Sequence, residues 1–186
     1  MASTTLNTNN IVNFVLFQLV WLGFVLGSTK GYIWVGATLL VAMLVWQLWP
    51  SRRNENDFLI IGASATCGFI VATIWSFFGL IEYAEHWPAK NIAPWWIIAM
   101  WVAFGASFNH SLGWIQKSPY LAGVLAGIGG PVSYFGAARI GAVVINQPWL
   151  TFSLMAVAWF AIAFFLTILV QRQAQAEKSW TADVRY

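Results

Sequence analysis

The chain alternates between long apolar runs and short polar breaks. A helix that crosses a bilayer needs roughly 20 mostly apolar residues. Six segments meet that requirement, at about 11–28, 32–49, 58–83, 94–116, 120–145 and 149–171. The breaks carry turn chemistry: Ser28-Thr29-Lys30-Gly31, the polar stretch from Pro50 to Asp57, Trp87 to Asn91, Lys117-Ser118-Pro119 and Asn146-Gln147-Pro148. A polar tail, 172–186, follows the last run and is expected at the surface. The pattern predicts an all-α polytopic membrane protein, one integral membrane domain over 1–186 with about six transmembrane helices.

Composition agrees. The 186 residues are 60% hydrophobic and 8% charged, whereas soluble domains are nearer a quarter charged. Mean hydropathy is +0.69. The nine Lys and Arg are spread over breaks rather than clustered, which argues against nucleic-acid binding and fits the positive-inside bias. Arg52, Arg53, Lys117, Arg172, Lys178 and Arg185 fall on one side with the N-terminus; Lys30, Lys90 and Arg139 fall on the other. That count predicts cytoplasmic termini. Trp34, Trp49, Trp87, Trp95, Trp96 and Trp149 sit near predicted helix ends, as an interfacial belt does. The N-terminal stretch has no basic residue before its apolar run, so the first run reads as a retained helix. The single cysteine, Cys67, reads as a small buried hydrophobe. The two halves share no visible motif, so no inverted repeat is expected.

Polar residues inside apolar runs are the candidate chemistry. SFNHSLGW, 107–114, stands in the fourth run. At ~1.5 Å per residue, His110 lies roughly 9 Å from the cytoplasmic end of that helix. Asn13 and Gln18 lie in the first two turns of the first helix, so Asn13, Gln18, Asn109 and His110 are expected in one layer. His110 and Trp114 are four apart, as are Ser107 and Ser111. Gly105, Asn109 and Gly113 form a stripe that suits close helix approach. The group is read as interhelical hydrogen bonding or as a binding or catalytic site. His110 and Ser111 are adjacent and point about 100° apart, so they are not a nucleophile–base pair.

The fifth run carries Gly123 and Gly127 in GxxxG spacing, then Gly129-Gly130-Pro131. Proline removes a donor and clashes with the preceding turn, so a kink or break is expected there. Ser133, Tyr134 and Arg139 follow. Arg139 is expected to pair with Glu82 or to bind a phosphate or carboxylate headgroup. Glu82, Glu85 and His86 have no specific metal-ligand spacing, and His86 lies far from His110. Neither a metal nor a cofactor is expected, and no nucleotide-binding or zincin motif appears.

FNHSLGWIQ (108–116), GGPVSYFGAARIGAV (129–143), NFVLFQLVWLGFVLG (13–27) and PWWIIAMW (94–101) together resemble a bacterial inner-membrane family, domain of unknown function 2878. The resemblance covers roughly 11–145. It implies a compact multi-helix membrane protein, with a lipid-linked role suggested by neighbouring genes for fatty-acid or phospholipid modification. The positions matching its motifs are Asn13, Gln18, Trp21, Asn109, His110, Ser111, Trp114, Gly130, Pro131, Tyr134 and Gly136. Many members carry an acidic residue mid-way along the third helix. GFIVATIWSFFG has none, which puts an enzymatic role in doubt.

These readings converge on a polar pocket between the first, fourth and fifth helices. Its candidate ligand-binding residues are Asn13, Gln18, Asn109, His110, Ser111, Trp114, Gly130, Pro131, Tyr134 and Arg139. The expected ligand is a membrane lipid or amphiphile. The alternatives are a small-solute or ion transporter and a non-catalytic partner subunit. Membrane lipids, a second copy of the chain or another membrane protein are the expected partners.

Overall fold

The structure, a computed structural model, describes residues 8–183, with side chains described through 176. Six helices carry it: α1 (Thr8–Lys30), α2 (Trp34–Gln47), α3 (Asp57–Phe77), α4 (Trp95–Phe108), α5 (Pro119–Ile140) and α6 (Pro148–Asp183). Four of them, α1, α3, α5 and Pro148–Ala176 of α6, are long and apolar enough to cross a membrane. This is the all-α architecture of a polytopic membrane protein. At ~1.5 Å per residue, the 14 residues of α2 and of α4 reach only about 21 Å, short of the ~30 Å hydrocarbon core.

The helices pack as consecutive pairs: α1 on α2, α3 on α4 and α5 on α6. Contacts of α4 with α1 and α2, and of α6 with α3, join the pairs. Small residues permit the close approaches. A Cβ on Gly68 would lie 2.0 Å from the Trp101 ring, and one on Gly105 would lie 2.8 Å from Ile61 Cα. The GxxxG glycines face α6, where a Cβ on Gly123 would meet the Phe160 ring at 2.8 Å. Gly113, the third member of the expected stripe, has open space around it.

The helix ends differ from those read in the sequence. The third helix stops at Phe77 rather than 83, because Gly79 turns the chain at φ +63. Strand β1 (Ile81–Tyr83) follows and pairs antiparallel with β2 (Val143–Ile145). The fifth helix likewise stops at Ile140, capped by left-handed Gly141, and runs continuously through Pro131 with no break. The fourth ends at Phe108, not 116; the chain then turns into a short 3₁₀ segment, Gly113–Lys117. Its apolar run stops at a cluster of side chains that compete for backbone hydrogen bonds. The amides of His110 and Leu112 both return to Ser107 O, at 3.0 and 3.1 Å. The polar tail continues α6 as helix to Asp183. The side chain of Lys178, Arg185 and the N-terminal residues 1–7 lie outside the described residues.

The bundle therefore has two ends of different chemistry. One end carries the α2–α3 loop, the start of α3 and the 107–117 turn. The other carries the β1–β2 pair.

Candidate functional site

Asp57 opens α3, where the helix dipole favours a carboxylate. It is 0% exposed, and a buried carboxylate needs donors. The backbone of Asn54 donates to Oδ2 at 2.9 Å and Asn109 Nδ2 donates to Oδ1 at 3.0 Å. His110 Nε2 lies 2.8 Å from Oδ2. Among the described residues it is the one contact of ion-pair geometry, an ion pair when His110 is protonated. The 107–114 stretch delivers both partners because α4 ends there: Asn109 caps the helix and His110 follows in the turn.

A second layer ties this pair to α1 and α2. Asn13 Nδ2 donates to Gln47 Oε1 at 2.7 Å and to Ala106 O at 3.4 Å. Ser111 Oγ donates to Asn13 Oδ1 at 2.6 Å. Gln47 Nε2 then reaches His110 Nε2 at 2.8 Å. Gln116 Nε2 holds Asn109 Oδ1 at 3.1 Å and Phe108 O at 2.6 Å. Elements distant in sequence are thus joined by amide and carboxylate groups at one end of the bundle.

The polarity of these bonds meets at one atom. The Ala106 carbonyl and the Ser111 donors fix Asn13, so Gln47 presents its oxygen to Asn13 and its N–H to His110. An imidazole nitrogen offers either one N–H or one lone pair. Both Gln47 and Asp57 approach Nε2 at 2.8 Å, so it is contested, and the proton position at His110 is coupled to Gln47. His110 Nδ1 has no partner among the described residues. Ser111 Oγ is spent on Asn13, so no Ser–His–Asp relay is built.

Beside this network lies a polar pocket of about 250 Å³, walled by Asn9, Asn10, Trp46, Gln47, Arg52, Asn54, Asn109 and His110. A larger cavity of about 450 Å³ opens between α1, α4 and α5, with α6 closing it through Trp159. Its wall is mainly apolar, including Phe17, Trp21, Trp101 and Phe104, with Gln18, Ser133 and Tyr134 as polar groups. Trp159 stacks on Trp101 at 4.2 Å between ring centroids. Its buried Nε1 has no partner among the described residues.

The single site expected from the sequence is divided between these places. Asn13, Asn109, His110 and Ser111 join the polar network. Gln18, Gly130 and Tyr134 line the apolar cavity, so Gln18 leaves the layer assigned to it. Gly130 brings the backbone against Trp159, where a Cβ would meet the ring at 2.4 Å. Pro131 lies inside α5 and outside both cavity walls. Trp114 is 58% exposed. Arg139 is exposed at the opposite end of the bundle. Glu82 makes no ion pair with it and accepts instead from Asn146 Nδ2 at 2.9 Å.

Asp57, Gln47, Asn54 and Gln116 were not among the expected site residues. Asp57 and Asn54 read as loop residues. Gln47 carried the better signal, as the one polar side chain in VAMLVWQLW.

The sequence model of a family described as "Protein of unknown function (DUF2878)" matches residues 10–166. The chain belongs to this DUF2878 family. No curated protein and no solved structure matches it. The DUF2878 match covers every residue of the polar network and every residue named here for the cavity wall.

Proposed function

We propose that this protein is a multi-pass protein of the cell inner membrane, with cytoplasmic termini, that binds a membrane lipid or a similar amphiphile. The carrying observation is the cavity of about 450 Å³ between α1, α4 and α5. Ligand sites are concave and mostly apolar, with a few polar groups that fix orientation. In a bilayer an alkyl chain gains little from leaving other alkyl chains, so occupancy has to come from packing and polar contacts. Aromatic walls supply the first. Gln18, Ser133, Tyr134 and the unpartnered Trp159 Nε1 supply groups for the second.

A photoactivatable alkyl amphiphile tests the reading. Saturable labelling of the cavity walls supports it, and labelling spread evenly over the lipid-facing surface counts against it.

A second reading, small-solute or ion transport, is favoured by a different observation. His110, in contact with the buried Asp57, lines the polar pocket, and a buried pair of ionisable groups at a pocket is a candidate site for handling ions or protons.

A further inference from the structure

The polar pocket has a character that the apolar cavity lacks: a guanidinium, Arg52, stands in its wall. The Arg52 guanidinium packs over the Trp46 ring, with Cζ 3.7 Å from the ring centroid. It donates one long bond, 3.4 Å, to Trp46 O, and its remaining N–H groups have no acceptor among the described residues. Trp46 Nε1, buried in the same wall, has no hydrogen-bond partner among the described residues. A buried indole N–H normally finds an acceptor. His110 adds an imidazole to the wall, its Nε2 2.8 Å from Asp57.

Charge in the pocket points the same way. Asp57 is bonded to two wall residues, Asn109 and His110. Its two oxygens are occupied by Asn54, Asn109 and His110, and it does not line the pocket. Glu55 on the same loop is exposed and also outside the wall. Among the described residues Arg52 makes no ion pair, and no carboxylate lines the concave site that it faces. At about 250 Å³ the space falls below the ~300–1,000 Å³ of sites for drug-sized ligands. It suits one compact group.

We propose that this pocket binds a phosphate group, either free or as the phosphomonoester headgroup of a lipid. Arg52 supplies the charge and Trp46 Nε1 a directed donor. A guanidinium matches phosphate oxygens two at a time, which favours phosphate over a simple halide. The proposal does not rest on the apolar cavity, whose walls share no residue with this pocket.

Calorimetric titration of the full chain in a phosphate-free maltoside detergent tests it. The probes are inorganic phosphate, dihexanoyl phosphatidic acid and, as the phosphate-free control, dihexanoylglycerol. The expected result is one saturable site for a phosphate-bearing probe and none for dihexanoylglycerol. Arg52→Gln weakens it at least tenfold and Trp46→Phe at least threefold. Arg53→Gln, which removes a charge packed on Phe58 outside the wall, changes it less than twofold. Phosphatidic acid at least tenfold tighter than inorganic phosphate assigns the group to a lipid; equal or tighter inorganic phosphate assigns it to a free anion. Either supports the site. No saturation by either phosphate probe at millimolar concentration overturns it. So does equal weakening by Arg52→Gln and Arg53→Gln, or unchanged binding by a monodisperse Arg52→Gln protein.

Discussion

A carboxyl group with no exposed surface needs hydrogen-bond partners, and Asp57 has two amide donors, with His110 Nε2 a further 2.8 Å contact. Removing it leaves Asn109 and His110 facing an empty position, and a buried polar group left unsatisfied costs about 1–3 kcal/mol. Asp57→Ala should lose about that much in reversible unfolding from mixed micelles. Asp57→Asn keeps the shape and one acceptor and should lose less. Equal losses from the two variants would mean that packing, not the acceptor set, matters at this position. The polar word around His110 was legible because amides and an imidazole stand out in an apolar run. Its partner was not. Asp57 is ordinary in a loop, and only the return of α4 beside α3 makes it a buried ligand of His110. Gln47 has the same history, since its role depends on α2 folding back along α1.

At the scale of elements, lengths and small residues decide the geometry. The 21 residues of α3 reach about 31 Å at ~1.5 Å per residue, a full hydrocarbon thickness. Asp57 therefore sits at the boundary end of a full-length helix, not mid-membrane. The shorter α4 ends beside it and hands over to the polar turn. That packing depends on glycine at the α3–α4 contact, where Gly105 lies against Ile61 and Ser64. Gly105→Leu should separate the helices and cost about 1–3 kcal/mol. The loss should appear as a lower unfolding midpoint, while Gly113→Ala, with open space around it, should leave the midpoint unchanged. A Gly105→Leu protein as stable as the parent would contradict the packing described. Hydropathy located all six helices but overran three of their ends. Leu80, Ile81, Val143 and Val144 are as apolar as a helix interior, and a short apolar strand has no periodicity to separate it from helix. The turn signals were glycines at 79 and 141, both left-handed in the structure.

At the scale of the molecule, an even number of helices returns the chain to the end from which it started. Arg52, Arg53 and Lys117 belong to the polar-network end; Lys30, Lys90 and Arg139 belong to the β1–β2 end. With the positive-inside bias, Lys90→Cys in a Cys67→Ala background should react with an impermeant maleimide in intact cells. Ser51→Cys and Ser118→Cys should react only after permeabilisation. The reverse labelling would invert the proposed orientation. The central claim, an amphiphile held between α1, α4 and α5, is tested most directly by mapping where a diazirine-tailed alkyl amphiphile attaches in membranes. The account predicts adducts concentrated on Phe17 to Trp21, Met100 to Phe104 and Ala126 to Tyr134. Excess unlabelled amphiphile should compete them away, and Ala126→Phe, which fills the cavity, should lower them at least fivefold. Adducts spread evenly onto lipid-facing positions such as Phe69 and Val157, 42% and 68% exposed, with no competition and no effect of Ala126→Phe, would contradict it.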